Sequence, residues 1–299
     1  MSKNCTIMTR MKTNYENRSK TFLTRRVPVI MRLDGKSFHT FTKGLDKPFD
    51  EGLIEDMQQT AIFLCQNIQG AKCAYVQSDE ISILITDYDT LQTDAWFDYN
   101  VQKMTSISAG FAASKFNQLR FKRKLKDITE LDGNLPTFVV EQIEDSLDYT
   151  LANFDSRVSN YPKEEVINYF LARQKDAVKN SIAMLAQSLY SPNELNGVNQ
   201  SQMQELCFQK GYNWNDLPFY KKRGSFIIKN TYWNNELVIS KDFLDKYGDS
   251  NTEQWTETIQ FVDGVYYSKE ELIIPTIRTK WEVVETPFSF SILDFKNWI

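Results

Sequence analysis

The sequence predicts a mixed α+β protein in which a ferredoxin-like (split βαβ) domain precedes a C-terminal helical and β extension. Over the first 160 residues the local patterns follow the order strand, helix, strand, strand, helix, strand, which is the order of that fold. The 299 residues are 41% hydrophobic and 25% charged, as in folded domains with a buried core. No run approaches 18 consecutive apolar residues, so we expect no membrane span.

The first strand and the first helix follow from short-range patterns. An apolar, β-branched run at residues 27–33 ends at Asp34-Gly35, which is typical of a strand that stops in a turn. After a loop at residues 43–49, apolar positions spaced by three and four predict a helix. Gly70 is the expected end of that helix.

A hairpin, a second helix and a further strand complete the first domain. Residues 71–76 and 81–86 are predicted strands around a tight polar turn at residues 77–80. Apolar residues spaced by three and four over residues 97–111 predict the second helix. A last strand is expected at residues 150–154.

The remaining segments predict an insertion and a second lobe. Residues 120–149, basic in their first half and acidic in their second, are predicted to form an insertion or an irregular arm. Helical patterns cover residues 161–190 and 200–210. Strand-like pieces lie at residues 225–233, 257–261 and 281–285. We therefore expect a first domain of residues 1–160 and a C-terminal lobe of residues 161–299.

Composition restricts the chemistry that the chain can perform. With 35 basic and 39 acidic residues the net charge is −4, so any nucleic acid contact must use local patches. The single histidine, His39, excludes a multi-histidine metal site and leaves carboxylates and lysines to carry catalysis. The cysteines lack Cys-x-x-Cys spacing, which predicts no disulfide framework and no zinc site and favours a reducing, cytoplasmic location. They are Cys5, Cys65, Cys73 and Cys207.

Three carboxylates are predicted to converge. Asp34 ends the first strand, and Asp79 and Glu80 lie in the hairpin turn. Because the first and third strands of a ferredoxin-like sheet are neighbours, these groups meet at one edge and repel unless a divalent cation lies between them. Oxygen ligands favour Mg²⁺, and two such ions can align an in-line phosphoryl transfer. The alternative interpretation is that both segments are ordinary polar turns.

Other features point to phosphate and RNA. The turn Gly35-Lys36-Ser37-Phe38 can present backbone N–H groups to phosphate oxygens. Lys36, Lys47 and Lys103 can add positive charge there, although each is also an ordinary surface lysine. Two basic runs lie beside aromatic residues and indicate either RNA contact or a solvated face. They are Arg120, Lys122, Arg123, Lys124 and Lys126, and then Lys221, Lys222 and Arg223.

These motifs together resemble the signature of the tRNA(His) guanylyltransferase family, which are 3′–5′ nucleic acid polymerases. The resemblance covers roughly residues 25–230 and implies a fold similar to the palm of 5′–3′ polymerases and nucleotidyl cyclases. Its motifs occur in the family's order: Arg32-Leu-Asp-Gly-Lys-Ser-Phe-His39, Lys47-Pro48, Gln77-Ser-Asp-Glu80, Trp96-Phe97, Lys103, Phe154-Asp-Ser-Arg157, Asn168-Tyr-Phe170, Arg173-Gln174, Asn213-Trp-Asn-Asp-Leu-Pro218 and Arg223-Gly224.

Two departures resemble the bacterial and archaeal guanylyltransferase-like branch of the family. Eukaryotic members read Asp-Cys-His-Ile-Asn-Asn-Leu-Tyr-Asn after the Arg-Gln pair, and here Val178 stands at the place of that histidine. Asn100 stands where those enzymes carry an arginine. This branch prefers templated repair of 5′-truncated tRNAs, so the resemblance implies repair rather than addition of a single G−1 to tRNA(His).

The resemblance also implies roles for individual residues. Asp34, Asp79 and the Gly35 carbonyl would bind two Mg²⁺ ions with help from Glu80, and Lys47 would serve the activation step. The implied triphosphate contacts are Gly35, Lys36, Ser37, Phe38, His39, Ser78 and Lys103. The implied RNA contacts are Arg32, Arg157, Arg173, Asn180, Lys222 and Arg223.

The implied reaction has two phosphoryl transfers. ATP first adenylylates the RNA 5′-monophosphate and releases pyrophosphate; the 3′-hydroxyl of an incoming nucleotide such as GTP then displaces AMP. Such steps need charge and alignment more than a side-chain base. The expected partners are the acceptor end of tRNA, nucleoside triphosphates and further copies of the chain in a homotetramer, a dimer of dimers. The alternatives are strict G−1 addition, a nucleotidyl cyclase, and a non-catalytic tRNA-binding protein.

Overall fold

The structure, a computed structural model, describes residues 6–132, 151–234, 260–262, 265–267 and 276–284. The helices are α1 (Ile7–Asn14), α2 (Phe38–Phe41), α3 (Glu51–Asn67), α4 (Val101–Asp132), α5 (Lys163–Leu189), α6 (Gln200–Gln209) and α7 (Phe219–Arg223). The strands are β1 (Val29–Gly35), β2 (Ala71–Gln77), β3 (Glu80–Ile85), β4 (Phe154–Asn160), β5 (Ser225–Asn234), β6 (Gln260–Val262), β7 (Val265–Tyr267) and β8 (Thr276–Val284). Short 3₁₀ turns lie at Glu16–Ser19, Trp96–Tyr99 and Trp214–Asp216.

Six strands form one sheet in the order β4-β1-β3-β2-β5-β8. β1 pairs antiparallel with both β3 and β4, and β2 pairs antiparallel with β3 and β5. The predicted split βαβ order and the predicted contact between the first and third strands are both confirmed.

The two faces of the sheet are covered by different helices because side chains alternate along each strand. Met31, Leu33 and Ile83 point to one face, where they are buried against α3 and α4. On the other face Tyr75 and Leu84 pack against α5, which contributes residues such as Val166 and Phe170. The second half of α5 forms a further small core with α6 and Trp214.

Local signals set the bounds of the long helices. The Asp50 side chain accepts a hydrogen bond from the Leu53 N–H at 2.6 Å and so caps the start of α3. Gly70, three residues beyond the end, has φ +82°, and a Cβ there would lie 2.3 Å from the Thr86 carbonyl oxygen. The Asn100 side chain accepts from the Lys103 N–H at 3.0 Å and caps α4.

The structure corrects several predicted elements. The strand expected at residues 150–154 begins only at Phe154 and runs to Asn160, and the predicted second helix begins at Val101 rather than at residue 97. The predicted arm at residues 120–149 is wrong for its first part, because α4 continues to Asp132. Residues 133–149 lie outside the described ranges.

The basic run inside α4 is partly used by the fold. Buried Asp56 of α3 accepts hydrogen bonds from Arg120 at 3.1 Å and from Arg123 at 2.9 Å. Two arginines of this basic run therefore join α4 to α3, where neither of the two predicted roles, RNA contact or a solvated face, applies to them. The spacing of residues along the sequence does not indicate that these arginines pair with Asp56, which lies more than 60 residues away.

By internal contacts, Met1–Ile228 and Trp281–Ile299 form one unit and Lys229–Lys280 a second. The predicted division at residue 160 does not coincide with this grouping, since α5 buries its apolar side on the sheet of the first unit. In the second unit β6 and β7 form a two-stranded antiparallel ribbon. Among the described helices none has the length and apolar character needed to cross a membrane.

Replacing Asp56 by Asn should lower the free energy of unfolding by about 3 kcal/mol, because Arg120 and Arg123 lose the buried carboxylate that they share. Urea unfolding followed by circular dichroism measures the loss. Glu55→Gln is the matched control: Glu55 also pairs with Arg123, at 2.8 Å, but its side chain is 60% exposed. It should cost less than about 1 kcal/mol. Equal losses in both variants would contradict the role given to burial.

Candidate active site

The pairing of β1 with β3 brings the residues that carry the predicted carboxylates to the same end of these two strands. Asp34 lies directly opposite Glu80 in the register, and the Gly35 N–H donates to the Asp79 carbonyl oxygen at 3.1 Å. The end of β1 is thus fixed to the turn that carries Asp79. The backbone thus brings Asp34, Asp79 and Glu80 to the same end of β1 and β3, but their three side chains do not form one cluster of metal ligands there.

The hairpin turn between β2 and β3 consists of Ser78 and Asp79. Ser78 has a left-handed φ of 47° and is exposed, and Asp79 is partly buried. Burial raises the pKa of the Asp79 carboxyl above its ordinary value, and the negative charge of Asp34 raises it further. Within the described residues no ion pair involves Asp34 or Asp79. The negative charges of the two carboxylates therefore repel each other, and no ion pair among the described residues offsets this repulsion.

The turn after β1 is built around a close approach of Gly35 to an aromatic ring. A Cβ on Gly35 would lie 2.2 Å from the Phe38 side chain, so no other residue fits without displacing the ring. Phe38 is buried against three further rings, those of Phe41, Phe116 and Phe154. The Phe38 side chain is therefore an anchor of the turn.

Two of the backbone N–H groups that were predicted to bind phosphate already donate hydrogen bonds within the protein. The Gly35 N–H donates to Asp79 and the Lys36 N–H donates to the Asn153 carbonyl oxygen at 2.8 Å. Lys36, Ser37 and His39 are exposed, and Ser37 has a left-handed φ of 55°. What this turn can offer an anion is thus its exposed side chains rather than the first two amides.

A cleft beside the hairpin turn brings Lys47 and Ser78 together. Both line a cavity of about 190 Å³ with Met184 and Gln187 of α5. A smaller cavity of about 80 Å³ is lined by Ser78, Asn180 and Lys221. Three residues with predicted roles therefore lie at or beside one turn. They are Lys47 for the activation step, Ser78 for triphosphate binding and Asn180 for RNA contact.

Glu80 differs from the other two carboxylates. Its side chain is buried at 8% exposure, and both of its oxygens accept hydrogen bonds from the Arg173 guanidinium of α5. The Nε of Arg32 lies 4.0 Å from the same carboxylate. Arg173, predicted as an RNA contact, is used here to fix Glu80.

The strand pairs next to Asp34 bring like charges together. Arg32 of β1 lies opposite Arg157 of β4, and Asp34 lies opposite Asp155. The Arg157 and Asp155 side chains are both more than half exposed and pair at 3.3 Å. Arg157 is therefore accessible next to the carboxylates, as its predicted RNA role requires.

Lys103 lies at the other end of the sheet from Asp34. The register pairs Val29 with Ile85 there, and Arg25, which precedes β1, binds Asp87 after β3 at 2.6 Å and Asp98 at 3.0 Å. Lys103, near the start of α4, is exposed 5.7 Å from the Phe97 ring. Within one chain the structure does not bring this predicted triphosphate contact to the carboxylates.

The remaining predicted RNA contacts lie on and beside α7. The Lys222 ammonium donates to the Asn215 carbonyl oxygen at 2.6 Å and lies 5.5 Å from the Trp214 ring. Arg223 is exposed, and its carbonyl oxygen accepts from the Tyr75 hydroxyl at 2.6 Å. The basic end of α7 is thereby attached to β2 near the hairpin.

Sequence reasoning assigned no role to Tyr169, whose hydroxyl lies 2.9 Å from that of Ser82. Tyr169 lies within the motif Asn168-Tyr-Phe170, and this membership is the only sign in the sequence that the residue has a role near the site. In the ranges that the structure covers, no three His, Cys, Asp or Glu side chains cluster as metal ligands. A cation held by Asp34, Asp79 and the Gly35 carbonyl would therefore need further oxygen ligands from elsewhere, as Mg²⁺ often does in proteins.

The chain matches the family model described as tRNAHis guanylyltransferase over residues 8–162, about half of its length. The chain belongs to the tRNA(His) guanylyltransferase family. It is accordingly a nucleotidyltransferase, and the fold and enzyme class expected from the motifs are confirmed.

Two solved structures described as a bacterial tRNA(His) guanylyltransferase-like protein resemble the chain. One, in complex with ATP, is 46% identical over 75% of this chain and 88% of that one, with a TM-score of 0.64. The other, in complex with GTP, is 37% identical over 98% and 96% of the two chains, with a TM-score of 0.66. A probable tRNA(His) guanylyltransferase of Dictyostelium discoideum is 29% identical over 69% of this chain and 77% of its own length. The bacterial relatives fit the branch that Val178 and Asn100 indicate.

Replacing Asp79 by Asn should raise the free energy of unfolding in metal-free buffer at pH 7, because a buried charge that repels Asp34 is removed. The gain should shrink as the pH falls, since the raised pKa makes the folded protein take up this proton before the unfolded chain does. Urea unfolding of both proteins between pH 4 and pH 7 in EDTA measures the difference. A variant less stable than the parent at pH 7 would contradict the unfavourable environment assigned to Asp79.

Proposed function

We propose that this protein is a Mg²⁺-dependent 3′–5′ nucleotidyltransferase that repairs tRNA 5′ ends under the direction of the opposite strand. The observation that carries the proposal is the position of Asp34 and Asp79, two adjacent uncompensated carboxylates at one edge of an antiparallel sheet, next to the Lys47 cleft. Membership of the family supports the same chemistry.

Asp34, Asp79 and the Gly35 carbonyl are the groups that would bind Mg²⁺. Their oxygen-only character and mutual repulsion fit a divalent cation, and two carboxylates per site leave room for phosphate oxygens. The ions would supply the positive charge that aligns the phosphate oxygens and stabilises charge on them. The chain contributes geometry: the Gly35 N–H bond to Asp79 fixes the two carboxylates relative to each other.

The substrates are ATP, GTP or another nucleoside triphosphate, and a tRNA. Lys47 and Ser78 share the cleft where a triphosphate would lie, and Lys36, Ser37 and His39 are exposed on the neighbouring turn. Arg157 and Arg32 on the sheet face and Arg223 at the end of α7 would bind phosphates of RNA. The two bacterial structures, one in complex with ATP and the other with GTP, support this choice of nucleotides.

In the proposed reaction the RNA 5′-phosphate attacks the α-phosphorus of ATP, forms an adenylylated end and releases pyrophosphate. The 3′-hydroxyl of the incoming nucleotide then attacks that 5′-phosphorus and displaces AMP. Positioning of the two phosphates by fixed groups is the main contribution expected from the protein. We place the enzyme in the cytoplasm as a homotetramer, on the basis of its cysteine usage and its resemblance to the family.

Replacing Asp34 by Ala should reduce extension of a tRNA lacking its first nucleotide by about 10³-fold or more, since a charge-stabilising group is lost. Gel analysis of labelled tRNA with Mg²⁺, ATP and all four triphosphates measures this. Glu205→Ala, an exposed carboxylate on α6, is the control and should be fully active. Extension that stops at the end of the acceptor stem indicates templated repair. A single G added only to tRNA(His) would establish strict guanylyltransferase activity instead.

Replacing Lys47 by Met should separate the two steps. Extension of a 5′-monophosphate tRNA should fall at least about 10²-fold, whereas a 5′-triphosphate tRNA, which needs no adenylylation, should be extended at nearly the parental rate. Lys43→Met is the matched control, because Lys43 is an exposed lysine of the same loop that does not line the cleft. Equal losses on both substrates would show that Lys47 does not serve activation.

A further inference from the structure

Glu80 follows Asp79 directly, yet its carboxylate turns away from the hairpin turn and into the interface between the sheet and α5. Its Oε1 accepts from Arg173 Nε at 2.7 Å, and its Oε2 accepts from Arg173 Nη2. A guanidinium and a carboxylate paired through two parallel N–H bonds have a fixed relative orientation. The pair therefore determines where α5 lies relative to the start of β3.

Neighbouring groups complete the surroundings of this pair. The Ser82 hydroxyl donates to Glu80 Oε1 at 3.3 Å and lies 2.9 Å from the Tyr169 hydroxyl of α5. Arg173 also lies 3.3 Å from Asp176, one turn along the same helix. Two arginines, counting Arg32, thus face Glu80, and a cation at its carboxylate would face two fixed positive charges. This is the reverse of the environment of Asp34 and Asp79.

We infer that Glu80 and Arg173 form a clamp that positions the Ser78-Asp79 turn, and that Glu80 is a positioning residue and not a metal ligand. The clamp acts through the backbone. Glu80 pairs with Asp34 across the sheet, and the residue before it accepts the Gly35 N–H bond that fixes Asp79. The part of the inference that concerns metal rests on the proposed function, and the part that concerns the turn does not.

The first test compares Glu80→Gln, Arg173→Gln and the double variant in tRNA extension. Each single variant should lose about 10–100-fold in turnover, as other supporting contacts of metal sites do. The Mg²⁺ concentration for half-maximal activity should change by less than about twofold. Because both substitutions remove the same interaction, the turnover of the double variant should equal that of the less active single variant within about twofold. Multiplied losses would overturn the clamp.

The control and a milder variant separate positioning from general instability. Arg123→Gln removes another arginine from a buried carboxylate, Asp56, and leaves Arg120 there. It should lower the melting temperature without changing turnover at 25 °C. Arg173→Lys keeps the charge but not the paired hydrogen bonds, and it should recover part of the turnover. A Glu80→Gln variant that is as active as the parent would overturn the inference.

Binding of Mn²⁺, measured by electron paramagnetic resonance of free Mn²⁺, tests the metal assignment without activity. Glu80→Gln should bind Mn²⁺ with the parental affinity within about twofold, whereas Asp79→Asn should lose at least tenfold, the lower end for a lost ligand or its support. A tenfold loss in Glu80→Gln would make Glu80 a ligand and overturn the assignment. No Mn²⁺ binding by the parent would refute the metal in the proposed function, and the clamp would then be decided by hydrogen exchange.

Hydrogen exchange at the Gly35 amide reports on the turn directly, because this N–H donates to Asp79. Exchange should be at least about tenfold faster in Glu80→Gln and in Arg173→Gln, since opening of the turn becomes easier. It should be unchanged in Arg123→Gln. Unchanged exchange at Gly35 in both clamp variants would overturn the clamp whatever the protein's activity proves to be.

Discussion

The antiparallel register of β1 on β3 is the constraint on which the site depends. It places Asp34 opposite Glu80 and brings the Gly35 N–H to the carbonyl of Asp79. Because side chains alternate along a strand, a slip of one residue would turn Asp34 into the core and Leu33 out of it. Burial of Leu33 and its neighbours against α3 and α4 therefore fixes the positions of the carboxylates. The stability of the core and the geometry of the site have one common cause.

The three carboxylates are sorted by what surrounds them. Glu80 is compensated by Arg173, while in the described chain Asp34 and Asp79 take part in no ion pair. Burial of Asp79 near a like charge is unfavourable for the protein alone and becomes favourable only when positive charge arrives. The paired ends of β1 and β3 thus carry one carboxylate, that of Glu80, which stabilises the structure, and two, those of Asp34 and Asp79, which are available for chemistry.

Local patterns predicted the elements, and long-range pairing decided the details. The spacing of apolar residues identified α3, α5 and the β2–β3 hairpin, and the Asp34, Asp79 pair followed from turn chemistry and strand order. The partners of Arg173, Arg120 and Arg123 lie more than 60 residues away in sequence and were missed. Lys103 was predicted from its motif to contact the triphosphate, but its position depends on the path of α4, which the motif does not give. The Arg173 contact also shows that an arginine in a family motif need not face a substrate.

The charged residues that pair across β1 and β4 provide a physical reason why RNA would be the substrate. Like charges directly opposite each other in a sheet are destabilising, by up to about 1 kcal/mol for a close pair. Here two such pairs follow each other, Arg32 with Arg157 and Asp34 with Asp155. The exposed Arg157–Asp155 ion pair at 3.3 Å offsets only part of this repulsion. A polyanion with bound cations relieves both, since its phosphates meet the arginines and its cations meet the carboxylates. RNA carrying a phosphorylated 5′ end has this alternation of charge, and a small neutral ligand does not.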